Sequence, residues 1–332
     1  MEMLNSGIPF APTIYEHSAA CIGKTPSQVA ADGTLLTEAL LAAYERYLPD
    51  RLAVGFDVYN LEPEALGAEI LYYEENSDSL PACVLPLIHA PGDLERLRLP
   101  DPRKSGRMPF LLEACKQLLA RAKGRETVVG GALTGPFTLA AILRGFEAFV
   151  VDMLEEPDFA LRQLAFAEEV SFRLGSAYHS LGAGLVVNES WVAPPLCSPG
   201  LYREFGVPAE TRLIRRLREI GARDISLISG GNTTPIVGDM LETVPSLIMA
   251  DWGCDLKYFA ALCREKNVLL RASVPSAAVE RGDREEMTGM VDSILRSCGG
   301  YEGLLIGCGI VSYTTKPEHV LLFRDIVRNA CV

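Results

Sequence analysis

Residues 184–191 read Gly-Leu-Val-Val-Asn-Glu-Ser-Trp, a short apolar run that stops abruptly in polar side chains. Before it, Asp158–Leu181 repeats apolar residues at helical spacing. After it, Pro199–Ile220 does the same and leads into a second apolar run, Asp224–Ser229. Strand, helix, strand in this order is the signature of a βα unit.

The unit recurs along the whole chain. The other strands predicted from short branched runs are Ala53–Val58, Cys83–Ile88, Thr127–Leu133, Leu247–Ala250, Val268–Ala272 and Leu304–Gly307, which makes eight. Further helices are predicted over Phe110–Ala122, Leu139–Leu154, Leu256–Glu265, Arg284–Cys298 and Pro317–Ala330. The acidic first turn of the segment starting at Arg284 is favoured by the helix dipole. Eight strands joined by helices, in a chain of 332 residues, predict an α/β fold, a (β/α)8 TIM barrel with an N-terminal extension. A doubly wound open sheet is the competing arrangement. No repeat, low-complexity tract or Pro/Ser-rich linker divides residues 1–332, so one domain is expected, with residues 1–42 as an extension across one end of the barrel. Pro9, Pro12 and Pro26 punctuate that extension.

A formal net charge of −12 opposes attraction to nucleic acid or to an anionic membrane surface. Apolar runs break well before the roughly 20 residues of a spanning helix, and the N-terminus lacks the basic-then-apolar pattern of a signal peptide. A cytoplasmic protein is expected. Nine cysteines without paired spacing read as free thiols in a reducing compartment.

In a barrel of this kind, chemistry gathers where the strands end. The first predicted strand delivers Asp57 and Tyr59, with Asp57 either capping the next helix or standing as a carboxylate at the pocket floor. The fourth delivers Asn188 and Glu189, and the long loop after it holds Cys197. Ser229 ends the fifth, and Asn232 nearby is either a substrate donor or a helix cap. The sixth and eighth end beside thiols, Cys254 and Cys308. Each cysteine alone reads most simply as a small buried hydrophobe. Alternate strands, however, supply the same interior layer, so Glu189, Cys254 and Cys308 are together a candidate zinc set that leaves a fourth position open. Cys197 is a substitute ligand, and His17 a further ligand or acid from the extension. His179 and His319 fit helix surfaces, and His89 a loop.

Several segments are similar to the uroporphyrinogen decarboxylase superfamily, which includes corrinoid-dependent methyltransferases. They are Val54-Gly-Phe-Asp-Val58 through Glu62-Pro-Glu-Ala-Leu-Gly67, Leu133-Thr-Gly-Pro-Phe-Thr-Leu139, Gly231-Asn-Thr-Thr-Pro-Ile236, Asp251-Trp252, and Gly307-Cys-Gly309 with Pro317-Glu-His319. The decarboxylases hold a many-carboxylate porphyrinogen with an arginine-rich N-terminal motif, whereas here the first arginine is Arg46 and that stretch reads Pro12-Thr-Ile-Tyr-Glu-His-Ser18. The zinc methyltransferases carry a His-x-Cys before the Gly-Asn-Thr-Thr segment, whereas here Ile228-Ser-Gly230 occupies those positions.

The resemblance therefore implies a zinc-dependent methyltransferase that moves a methyl group from a methyl ether, an aromatic one by preference, to the cob(I)alamin of a separate corrinoid protein. Zn2+ held by Glu189, Cys254 and Cys308 would stabilise the leaving oxygen. Asp57, Tyr59 and His17 would position the substrate or protonate the oxygen, and Asn188, Ser229 and Asn232 would hydrogen-bond the substrate. The alternatives are methyl transfer from methylcobamide to a thiol or folate, a uroporphyrinogen-type decarboxylation, and a non-catalytic barrel that binds a corrinoid or tetrapyrrole. The resemblance also implies a homodimer.

Overall fold

The computed structural model describes residues 7–73, 78–84 and 86–330. Nine strands occur among them: β1 (Arg51–Val54), β2 (Ile70–Leu71), β3 (Ala82–Cys83), β4 (Val128–Thr134), β5 (Gly184–Asn188), β6 (Ile225–Ile228), β7 (Leu247–Ala250), β8 (Leu269–Val274) and β9 (Leu304–Cys308). Seven of them form one curled parallel sheet in the order β1-β4-β5-β6-β7-β8-β9. With helices packed along its outside, the sheet gives the expected α/β, TIM-barrel-like fold.

The strand predicted at Cys83–Ile88 is not part of that sheet. Cys83 belongs instead to β3, which pairs antiparallel with β2 in a separate two-stranded ribbon, and Leu85 lies outside the described residues. Pro86 has no N–H for a ladder, and the N–H groups of Leu87 and Ile88 both donate to the Leu143 carbonyl, at 2.8 Å each. A different segment fills the space between β9 and β1. The chain over residues 9–13 makes parallel bridges, Phe10 to Ile306 and Thr13 to Ile310. Ala11 N–H donates to Ile306 at 2.8 Å, Ile306 N–H donates to Pro9 at 3.0 Å, and on the other side Asp50 N–H donates to Phe10 at 2.9 Å. Part of the predicted extension thus runs beside the strands instead of lying across one end. Pro9 and Pro12 cannot donate, so this stave pairs only intermittently.

Sheet alternation separates two environments. Leu52, Val54, Leu185, Val187, Leu270 and Ile306 face the helices in the main apolar core. Ala11, Leu247 and Leu305 face inward as a small second cluster. Other inward positions are small or polar, among them Ala53, Gly130, Ser226 and Arg271, and they line a cavity.

The helices follow their sequence signals closely. Arg284–Cys298 is as predicted, capped by Asp283 accepting from Glu286 N–H at 3.1 Å. The segment predicted over Leu139–Leu154 divides at Gly145, whose φ of +85° a residue with a Cβ rarely adopts. The segment predicted over Pro199–Ile220 contains a widened π turn over Tyr202–Gly206, just ahead of Pro208, which has no N–H to offer the preceding turn. No helix among the described residues is long and apolar enough to cross a membrane.

Candidate active site

A cavity of about 490 Å³ opens at the C-terminal ends of the strands and reaches into the barrel. Its rim includes Asp251, Trp252, Ser276 and Gly309, and its walls include Tyr15, Tyr59, Asn188, Ser190, Met249 and Arg271. Trp252 is held out at the rim, 64% exposed. Asp251 fixes the loop beneath it by accepting from Gly231 N–H and Trp252 N–H, both at 2.9 Å.

Tyr59 and Asn188 are the predicted site residues that line this cavity. Tyr59 adopts a φ of +80°, a sparsely populated conformation for a residue with a side chain. Its hydroxyl is fixed against Ser190 Oγ at 2.6 Å. Burial pushes the Tyr59 phenol up to about 12, so it stays protonated at neutral pH and can donate. Asn188 is the last residue of β5, and its side-chain amide donates to Leu133 O at 3.3 Å.

The remaining predicted residues stand elsewhere. Asp57 turns away from the cavity into a buried two-pronged ion pair with Arg107, at 2.9 and 2.7 Å. His17 is buried between Tyr47 Oη at 2.7 Å and Ser312 O at 3.0 Å, and burial lowers its pKa. Ser229 is buried, with its hydroxyl 3.5 Å from Gly230 O. Asn232 is exposed and accepts from Thr234 N–H at 3.1 Å, a local turn of the kind that short polar side chains favour.

The candidate zinc set is not assembled in this arrangement. Glu189 is fully buried, and its two oxygens accept the N–H groups of Phe137 and Thr138 at 2.8 Å each, capping the helix Pro136–Arg144. The Cys308 side chain packs into the main apolar core on the helix side of β9, where burial raises its pKa to about 11. Cys254 sits in the loop after β7, 3.5 Å from Gly231 O and 3.7 Å from Thr233 Oγ1. Cys197 is buried, with its thiol donating to Ser198 O at 3.5 Å. Among the described residues no three His, Cys, Asp or Glu side chains are grouped to hold a metal ion. The residues present therefore do not fit the zinc site expected from the sequence.

The uroporphyrinogen decarboxylase (URO-D) family model matches residues 7–330. The chain belongs to that family. Its curated relatives carry two kinds of name. A methylcobamide:CoM methyltransferase from Methanosarcina mazei is 26% identical over 216 residues, covering 64% of this chain and 62% of that protein, just under two thirds of its length. A uroporphyrinogen decarboxylase from Xanthomonas euvesicatoria is 24% identical over 305 residues, covering 88% of this chain and 83% of the relative. A solved methyltransferase structure from Methanosarcina mazei superposes with a TM-score of 0.84 at 22% identity, covering 97% of this chain and 94% of the other, and this likeness speaks for the fold.

Sequence reasoning missed Tyr15, Ser190, Met249 and Arg271 as cavity residues. Arg271 carried a readable signal. It is the one charged side chain within an otherwise apolar run, Val268-Leu-Leu-Arg-Ala272. In a strand, its alternation with Leu269 and Ser273 places it on the inner face.

Proposed function

We propose that this member of the URO-D family is a corrinoid-dependent methyltransferase rather than a decarboxylase. The observation that carries the reading is the charge of the cavity. Its only lining cations among the described residues are Arg51 and Arg271, and Arg51 is already ion-paired with Asp224. A porphyrinogen with many carboxylates needs several unpaired cations. The N-terminal stave, which lines the cavity with Pro12, Thr13 and Tyr15, supplies none. The names of the methanosarcinal relatives support the same choice.

The direction we propose is from the methyl ether of a small substrate to the reduced corrinoid of a partner protein at the open rim. A reduced corrinoid supplies the electron pair that takes the methyl group, while the methyl–oxygen bond breaks with its electrons on oxygen. The barrel holds the substrate with the ether toward the rim. Tyr59 stabilises the departing oxygen by donating a hydrogen bond to it while solvent supplies its proton, and Ser190 holds the hydroxyl in line. Trp252 borders the rim of the site with apolar surface beside the reacting carbon. The relatives' names favour a second reading, in which the methyl group passes from methylcobamide to a thiol.

The test supplies cob(I)alamin with a panel of methoxylated aromatics, methanol and methylamines, and follows methylcobalamin spectroscopically. A parallel arm supplies methylcobalamin with thiols. Methylation of cobalamin from an aryl methyl ether supports the proposed direction. Transfer only to thiols replaces it with the second reading. Inactivity in both arms, with decarboxylation of uroporphyrinogen, refutes the methyltransferase assignment.

A further inference from the structure

Arg271 lies on the inner face of β8 and lines the cavity, yet it is buried, with 8% of its surface accessible. Its Nη2 donates to Thr13 Oγ1 at 2.7 Å and to Cys308 O at 2.6 Å. Among the described residues Nη1 meets only the Met249 sulfur, at 3.5 Å, a weak acceptor. Nε has no partner, and a Cβ on Gly307 would come within 2.7 Å of it. No ion pair reaches this guanidinium among the described residues.

The other arginines that lie against the core or the cavity are treated differently. Arg107 is paired with Asp57 and Glu64, Arg51 with Asp224, and Arg144 with Asp152. Arginine does not discharge by losing its proton, so burial leaves a cation whose lost hydration is not replaced by a carboxylate. Burial works against the charge here, and neither of its two strong acceptors is an anion. A second observation concerns the same cavity. The buried hydroxyl of Ser226, which lines it, also has no partner among the described residues, and neither has that of Ser273, two residues along β8 from Arg271.

We infer that the small substrate of this cavity carries an anionic group of the carboxylate class, and that Arg271 is the residue that binds it. This rests on reading the cavity as the substrate site. One unpaired cation matches one anionic group and not several. Arg271 comes three residues before the end of β8, which places it roughly 10 Å below the rim at strand rise. The anionic end therefore lies deep, and the opposite end of the substrate extends along the wall that carries Tyr59 toward the rim where Trp252 stands. A bound carboxylate replaces the Met249 sulfur as the partner of Nη1 with a charge-assisted hydrogen bond.

The test is isothermal titration of the full chain with three acid and amide pairs: 4-methoxybenzoate, 3-methoxybenzoate and methoxyacetate, each against its carboxamide. At least one acid is expected to bind roughly tenfold or more tightly than its amide. Arg271→Gln brings that acid to the affinity of its amide and leaves the amide within about threefold, while Arg271→Lys keeps part of the preference. If no acid outbinds its amide on the unaltered protein, the inference is overturned, whether or not either variant folds. It is also overturned if Arg271→Gln, folded by circular dichroism, retains the preference. Methyl transfer is scored separately. Acid-selective binding without transfer supports the anion site and counts against the enzyme reading, whereas equal transfer from acids and amides does the reverse.

Discussion

Replacing Asp57 by Asn tests whether this acid holds the fold or serves the chemistry. The Asp57 and Arg107 side chains keep only 3% and 8% of their accessible surface, and the pair is closed by two hydrogen bonds of 2.9 and 2.7 Å. Removing one member of a buried pair leaves the other charge uncompensated, at about 3–5 kcal/mol. Arg107 would still have Glu64 Oε2 at 2.6 Å and Ala30 O at 3.3 Å, and Asn keeps one acceptor oxygen. The loss should therefore fall near the lower figure, about 3 kcal/mol, or on the order of 10² in the unfolding equilibrium constant. Asp57→Ala, with no acceptor left, should lose more. Urea denaturation of the two variants and of Arg107→Met reads these values, and the double variant reads the coupling. Arg107 begins the helix Met108–Ala122, so the pair also ties the loop after β1 to that helix. Methyl transfer per folded molecule should fall less than about tenfold, since Asp57 does not line the main cavity. Unchanged stability with collapsed transfer would refute the reasoning and restore Asp57 as a group at the reacting centre.

Three further outcomes follow from the geometry. Tyr59→Phe should lower methyl transfer by about 10²-fold or more while urea stability falls by only about 0.5–1.5 kcal/mol, the worth of the lost bond to Ser190; a stability loss without a rate loss would reassign Tyr59 to the scaffold. Glu210 is fully buried, accepts from Tyr202 Oη at 2.7 Å, and is pushed well above the usual carboxylate range by burial and then by neighbouring Glu189. Because the folded state holds this proton more tightly than the unfolded chain, the stability it contributes is complete below the ordinary glutamate range and declines as pH rises. Glu210→Gln should remove that decline, so its thermal midpoint should exceed that of the unaltered protein at pH 8 and match it near pH 4; equal differences at both pH values would contradict the assignment. Gly307→Ala would place a Cβ 2.0 Å from Ala11 O, so the N-terminal stave must shift; hydrogen exchange at Ala11 and Ile306, whose amides bond across this junction, should accelerate by at least about tenfold, and unchanged protection would show that the stave is not held there.

The parts of the fold that could be read in the sequence are those where one face is uniformly apolar. Gly184–Asn188 and Leu247–Ala250 are observed with the predicted bounds, since alternation and a polar stop fix both register and end. The stave over residues 9–13 was hidden, because Pro9 and Pro12 leave no continuous ladder to give a period, and its pairing comes from Asp50 and Ile306, far along the chain. The site was harder to read for a related reason. A residue just past a strand end has left the alternation of the strand, so its side chain can turn either way. Glu189 turns outward because the free N–H groups of Phe137 and Thr138 offer its carboxylate two partners. Cys308 is outward by the alternation itself, since its neighbour Gly307 is the inward residue that meets Ala11 and Arg271.

That contrast also says where to look in a barrel of this family. Residues at and just past the strand ends drew attention as ligands because they were expected to share a layer, yet Glu189 is taken up by backbone N–H groups of the scaffold and Cys308 by the apolar core. Arg271 lies inside a strand, where alternation does determine its direction, and where its charge meets two neutral acceptors and no carboxylate among the described residues. The neighbouring Ser273, inward by the same alternation and also without a partner, repeats the pattern. Unanswered polar groups at positions whose direction the strand fixes are therefore the stronger guide to a substrate, and in this chain Arg271 and Ser226, both in the cavity lining, are the ones to test first.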